Sequence, residues 1–469
     1  MIDRRLFLTG AASLAGVAAL KPRLAWAATD PTHRLKAAPG EAALMGADGP
    51  KTAIWSFGDG SPGPLIRIPQ GKPVNIRVEN ALAEPTTVHW HGIRLDNAMD
   101  GVPGMTQTAI PVGGSFDYTF TAPDAGTYWY HSHERTYEQV ARGLYGPLIV
   151  DEASPPKVDS DRLFLVDDWR LNDDGTIAGG FGNFHDLAHG GRLGNWLTVN
   201  GQTEPISEVR PGERIRLRCI SAANARVMGY RFEGVTAHVV ALDGQPLAVP
   251  QPLAADLVIP PAGRADLIVD IPSDASGVLA IKEVSVGEPI KAASFKVSGA
   301  PIRNQAEAVP VLPANPLPQA DLSDPMKVPL LMQGGAMGGM RVSEIKFQGQ
   351  MYDLRTLVRE HGKVWAFNGV AGSMNMEPLV RVPHGRTMVV DMVNETSWHH
   401  AMHLHGHHFQ VLDENGQIPK DAPWRDTLLM APSEKATVAF VADNPGKWLF
   451  HCHMLSHHLG GMGTWIEVA

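Results

Sequence analysis

The sequence predicts an all-β chain built as three consecutive β-sandwich modules. Three observations point there. Apolar and polar residues alternate in short runs such as LIRI, VNIRVEN, SFDYTF and RADLIVDI, the period-2 signature of half-buried strands. The runs are punctuated by 48 glycines and 37 prolines, which suits turns better than long helices. The 469 residues are long for one core and fit two to four domains.

At the N-terminus, Arg4 and Arg5 precede a small-residue and apolar run that ends near Ala25-Trp26-Ala27. This predicts a cleaved export signal over 1–27, and the twin arginines predict the bacterial route that carries folded proteins to the periplasm. Removing it deletes four positive charges and one negative, which takes the net charge from -9 to near -12. No later stretch is long and apolar enough to span a bilayer as a helix.

The first module is expected at 35–155, from LIRI through TTVHWHGI and GTYWYHSH to GPLIV. The second, 156–300, holds RLFLVDDWRL, ERIRLRCI and RADLIVDI. Its loop 173–195 carries His185 and His189. That spacing suits a metal only on a helix, and the stretch reads as too glycine-rich for one, so both are expected as surface histidines. Residues 301–326, rich in proline and alanine, read as a linker. The third module, 327–469, holds VWAFNG, TMVVDMVN, ATVAFVAD and KWLFHCHM.

The acidic balance and the absence of a basic tract argue against a nucleic-acid partner. Only two cysteines occur, Cys219 and Cys452. They could pair in an oxidising compartment. Cys452 has a better use, and Cys219 sits in the alternating RIRLRCI as a small buried residue.

Four pairs of histidines share one spacing: His89/His91, His131/His133, His403/His405 and His451/His453. In a strand, i and i+2 lie on one face, so each pair aims two imidazoles at one place. Two pairs fall in the first module and two in the third, which predicts one metal cluster between them. Cys452 points the opposite way from its two neighbours and reaches a second site. There His400, His457 and Met462 complete a cysteine, two-histidine, methionine set, the donor chemistry of blue copper. One backbone segment then links the two sites over a distance on the order of 10 Å. Zinc would fill histidine sites but has no redox chemistry.

HWHG, YWYHSH, HHAMHLHGH and HCHMLSHHLGGM resemble the four copper-binding motifs of the multicopper oxidases, and the likeness covers essentially the mature chain, including DGVPGMTQ and DDWR. It resembles the three-domain, laccase-like bacterial branch. The resemblance implies three tandem cupredoxin-like Greek-key β-sandwich domains and four copper ions. It matches His400, Cys452, His457 and Met462 to the type 1 ligands and His89 and His403 to the type 2 pair. It matches His91, His131, His133, His405, His451 and His453 to the type 3 ligands. The implied reaction couples four one-electron oxidations of a small reducing substrate to reduction of O2 to two waters, in a chain expected to be monomeric.

Two positions depart from the pattern. Ala401 stands where the third motif usually has proline, which is expected to free His400 somewhat. His458 stands where many relatives carry an acidic residue assigned to proton delivery, and histidine can relay protons near neutral pH. Asp100, in MDGVPG, is a second candidate for steering protons, or else caps a turn. Asp426 either orients a ligand or bonds a loop. His399, His407 and His408 are surplus beside the ligands, and Trp90, Trp129 and Trp398 are expected to pack.

The donor is open between phenols, aromatic amines, Cu(I) and Mn(II). Met332, Met337 and Met340 in LMQGGAMGGM either offer soft Cu(I) ligands or fill core. Broad laccase-like oxidation comes first and metal oxidation second. Axial Met462 implies a lower potential than a non-coordinating residue would give. A copper nitrite reductase would lack the type 3 pair. A copper-free scaffold would have lost the ligands.

Overall fold

Alternation and frequent turns leave the chain little length for helices, and the computed structural model is accordingly built of short strands. It describes residues 32–304, 307–337, 344–372 and 376–469. The export signal expected over 1–27, and Met340, lie outside the described residues. Among those residues no helix is long and apolar enough to cross a membrane.

The sheets come in pairs along the sequence. Between 33 and 151, Thr52–Ser56, His33–Ala42, Pro73–Asn80 and Ser115–Thr121 make one sheet. Ile66–Pro69, Tyr145–Asp151, Gly126–His131 and His89–His91 make the other. Between 160 and 297 a six-stranded and a five-stranded sheet follow, and between 326 and 468 a second such pair. Pro73–Asn80 shows the logic. Its alternate residues Val74, Ile76, Val78 and Asn80 are buried, as a period-2 pattern over a core requires.

The cores are shared unevenly. Ile76, Trp90 and Tyr118 from the first stretch and Met388, Phe440 and Trp448 from the last belong to one continuous apolar cluster. Phe164, Leu217, Leu267 and Phe295 form a separate core for the middle stretch. Burial of one such side chain contributes about 1.5–3 kcal/mol, so the seam between first and last stretches is held by packing as well as by polar contacts. Cys219 is buried in the middle core's strand Arg214–Ser221, and both cysteines are free.

Residues 307–325 carry no strand or helix, yet they are tied down. Leu312 is buried with Val240, Ala241 and Ile268. Arg214 donates to the carbonyls of Glu307 at 2.7 Å and Ala308 at 2.8 Å.

Candidate metal centre

Two strand pairs carry the histidines. His89–His91 runs antiparallel to Gly126–His131, with His89 opposite His131. His400–Leu404 runs antiparallel to Gly446–Cys452, with His403 opposite His451 and Met402 opposite Cys452. On the first pair, Trp90 turns into the apolar core while its two neighbours face the opposite way. All eight rings are buried and meet at one place: His89 stacks on His405 at 3.9 Å and His91 on His403 at 3.8 Å between ring centres.

The hydrogen bonds fix which nitrogen faces inward. A carbonyl only accepts, so a ring nitrogen bonded to one carries the proton. Nδ1 donates to the carbonyl of Asp100 from His89 at 2.8 Å, of Ser132 from His131 at 2.9 Å, of Asp426 from His403 at 3.0 Å, and of Cys452 from His451 at 3.0 Å. His405 Nδ1 donates to Asp100 Oδ2 at 2.9 Å. Each of these rings therefore presents an Nε2 lone pair to the centre. His405 and His451 bring two such Nε2 atoms to 3.2 Å, and His453 Nε2 lies 3.3 Å from His131 Nε2.

The facing lone pairs of His405 and His451 repel at that distance unless a cation stands between them. A proton does not serve: burial, together with the neighbouring imidazoles, holds His131, His405, His451 and His453 well below the usual histidine range. A metal ion does. Two nitrogens bound to one metal at about 2.0–2.1 Å stand roughly 3–4 Å apart. The Nε2 atoms of His89, His133 and His403 are buried without any partner, as open ligand positions would be.

Cys452 faces away from its neighbours, as alternation requires. Its Sγ lies 3.6 Å from His400 Nδ1 and 3.7 Å from His457 Nδ1, and the two Nδ1 atoms are 3.0 Å apart. His457 Nε2 donates to the carbonyl of His189 at 2.6 Å, and His400 Nε2 donates at 2.8 Å to Thr396 Oγ1, whose own proton goes to Asn394 Oδ1 at 2.8 Å. Both Nδ1 lone pairs therefore point at the sulfur's site. Met462 is fully buried, and its backbone closes the turn: its carbonyl accepts from Cys452 N at 3.1 Å and its N donates to His457 O at 2.9 Å. Thiolate, thioether and imidazole together are the soft donor set that selects copper.

Eleven ligand-type residues thus fall into an eight-histidine cluster and a site of His400, Cys452 and His457, joined by His451-Cys452-His453, with Met462 buried on the turn that follows. Over residues 41–155 and again over 348–469 the chain matches family models described as multicopper oxidase. It is 31% identical to the crystal structure of a multi-copper oxidase from Pseudomonas thermotolerans, with a TM-score of 0.81, over 94% of this chain and 100% of that one. The chain belongs to the multicopper oxidase family. It is also 37% identical to Lac15 from a marine microbial metagenome, with a TM-score of 0.74, over 93% of this chain and 100% of that one. It is 29% identical to the multicopper oxidase MmcO of Mycobacterium tuberculosis, over 89% of this chain and 84% of the relative.

This multicopper oxidase is an oxidase with copper as its cofactor and O2 as acceptor, and its cupredoxin-like sandwiches are those of its structural neighbours. Several of its residues sit otherwise than the sequence suggested. Asp100 is more than a turn cap: besides His405, its Oδ1 lies 3.2 Å from His89 Nδ1, so one carboxylate braces rings from both strand pairs. Gly101, at φ 81°, lets that loop close on the strand, where a β-carbon would collide with the Val88 carbonyl. His407 and His408 are buried; only His399 is exposed. His458 is half-buried, with its ring 4.4 Å from that of His451, and lines a cavity of about 350 Å³ with His133 and Lys363. Burial beside Lys363 holds it down to about 4, so it is a neutral imidazole at neutral pH, where the sequence suggested a group titrating there.

The loop reading of 173–195 is corrected. Phe184–Ala188 is a helical turn, capped by Asn183 Oδ1 accepting from Asp186 N at 2.9 Å, and it stacks His185 on His189. Sequence reasoning also missed Arg264, whose guanidinium reaches both Asp426 oxygens from the middle stretch. Asp426 Oδ1 in turn lies 3.5 Å from His91 Nε2 and 3.5 Å from His403 Nδ1. The glycine of HWHG was the available signal. A β-carbon on Gly92, at φ 86°, would strike both members of that ion pair.

Ala401 has a consequence beyond loop freedom. Burial pushes the Cys452 thiol up to about 12, against the pull of the backbone amides of Met454 and Ala401 on its sulfur. Proline cannot supply that amide. Ala401→Pro is therefore expected to lower the type 1 reduction potential. A hydrogen bond to a charged group contributes about 1.5–3 kcal/mol, which for one electron is roughly 65–130 mV. Redox titration of the visible band checks this; a potential unmoved within about 20 mV, well below that span, would refute it.

Proposed function

We propose that the chain is a laccase-like oxidase that draws single electrons from phenols or aromatic amines and uses four coppers to reduce O2. The observation that supports this most is the pairing of facing, neutral imidazoles on one side of the strand that carries Cys452 on its other side. In this reading His400, Cys452, His457 and Met462 hold the type 1 ion and His89 and His403 the type 2 ion. His91, His131, His133, His405, His451 and His453 hold the type 3 pair. Copper, when bound, supplies one-electron redox at the cysteine site and four-electron reduction of O2 to two waters at the cluster.

The protein's own groups do the rest. Carbonyls and a carboxylate hold the rings of His89, His131, His403, His405, His451 and His457 in the tautomer that leaves the inner nitrogen free. Asp100, buried beside His89 and His405, steers protons towards the reduced oxygen. His458 passes them inward from the cavity it lines. The chain works as three modules, 35–155, 156–300 and 327–469, as a monomer in the periplasm after twin-arginine export.

Relatives carry both candidate activities in their names. A laccase of Cryptococcus neoformans is 28% identical over 88% of this chain, and a metallo-oxidase from Campylobacter jejuni is 25% identical with a TM-score of 0.75. Oxidation of Cu(I) is the second reading, favoured by Met337, a methionine that is 82% exposed and whose carbonyl accepts from Ser397 Oγ. Anaerobic reduction followed by stopped-flow mixing with O2 tests the mechanism. Four electrons stored per chain and returned to O2 as water is the expected result; one electron stored, or no reoxidation, would refute it.

A further inference from the structure

We propose that the stacked His185/His189 pair is the landing platform for a planar aromatic donor and the point where its electron enters. This rests on the reading of the chain as an oxidase of aromatic donors. His457 is wholly buried, and its outer nitrogen is already engaged by the carbonyl of His189 at 2.6 Å. A donor therefore cannot touch the type 1 histidine edge. It meets instead what covers that edge, the helical turn Phe184–Ala188 and the residue after it.

That cover is a flat aromatic surface. The rings of His185 and His189 lie 4.4 Å apart and 10° from parallel. Trp398 stands edge-on to His189 at 5.4 Å. The His185 side chain is 79% exposed, so its outer face is open to solvent. The backbone beneath it, His189 and Trp398 are also tied down. His189 Nδ1 donates to the His185 carbonyl at 3.1 Å, Trp365 Nε1 to Leu187 O at 2.6 Å, Ala336 N to Ala188 O at 2.7 Å, and Trp398 Nε1 to Ala336 O at 2.8 Å. A platform fixed before binding loses little entropy when a ring settles on it.

The geometry favours a ring over a metal ion. Imidazole lone pairs lie in the ring plane, and an ion in the plane of one ring lies about 4 Å from the plane of its nearly parallel neighbour, beyond a metal–nitrogen bond of about 2.0–2.1 Å, so the two rings cannot both aim a lone pair at one ion. A stacked ring needs only the open face. The route inward is then continuous: donor on His185, His185 on His189, and the His189 carbonyl on His457. Each phenol gives up one electron along this route and its hydroxyl proton to solvent. Four such donors reduce one O2 to two waters.

The test compares His185→Ala and His185→Phe in the copper-loaded enzyme. Stacking of this kind is expected to be worth about 3- to 10-fold in affinity. His185→Ala should raise KM for 2,6-dimethoxyphenol by that factor, and kcat should fall with it because the donor then sits one ring further from His457. The variant should weaken calorimetric binding of 4-nitrophenol, a phenol too hard to oxidise, by the same factor. His185→Phe should restore both, and turnover of ferrocyanide, which has no ring to stack, should be unmoved in either variant. Unchanged phenol KM and 4-nitrophenol binding in His185→Ala would overturn the platform, as would failure of His185→Phe to restore them. Wild-type enzyme that oxidises ferrocyanide but no phenol would overturn the aromatic-donor reading itself, and the platform with it.

Discussion

Cys452→Ser is expected to abolish oxidation of every donor while the eight-histidine cluster still binds copper. The side chains differ by one atom, and the site is fully buried, so packing is little disturbed. The chemistry is not. A hydroxyl is a hard and weakly acidic donor in place of the soft thiolate that selects copper. His400 and His457 would remain 3.0 Å apart with no third strong ligand. Cys452 is also the shortest covalent link between the two sites, through His451 and His453. Donor turnover should fall on the order of 10³-fold or more, as when one member of an obligate chain of groups is removed. The intense visible band should vanish while copper analysis still finds the cluster ions. Retention of the band, or turnover within tenfold of wild type, would contradict the assignment of Cys452.

Arg264→Met carries the second large effect. The guanidinium is fully buried and bonds both oxygens of Asp426, with Asp243 Oδ1 3.6 Å away. Burial works against its charge, and Asp426 and Asp243 outweigh that, so its pKa is raised. Asp426 is buried as deeply, and the arginine holds it well below the usual carboxylate range. Removing one partner of such a pair costs about 3–5 kcal/mol, because the other charge stays buried without its counterion. The cost should fall on the cluster, since Asp426 also fixes His403 through its carbonyl and faces His91. Cluster copper should drop while the visible type 1 band persists, with a lowered unfolding midpoint. Full copper content and an unchanged midpoint would show that the pair is dispensable.

The sequence made the ligands legible because their geometry is local. A strand turns i and i+2 to one face wherever it lies, so His403/His405 or His451/His453 can be read without knowing the fold. The free cysteines and the alternating strands followed from the same rule. What escaped was whatever depends on distant partners. Arg264 and Asp426 are 162 residues apart and carry no shared pattern. The turn at Phe184–Ala188 forms among glycines because Asn183 caps it and Trp365 and Ala336 bind its last carbonyls, none of which composition reveals. For His407 and His408 the sequence left packing and solvent exposure open, and both are packed inside.

The apolar cluster shared by the first and last stretches has a mechanical consequence. The copper-type cluster lies on the same seam as that packing, between strands His89–His91 and His400–Leu404. The seam therefore acts as a zip with its rivet at the end: parting the two stretches and spilling the metal are one event with one barrier. The middle stretch has a core of its own, but its Arg264 reaches Asp426 beside the cluster, so its loosening weakens the grip on the metal as well. Slow release of copper then becomes a gauge of how firmly two halves of the molecule grip each other.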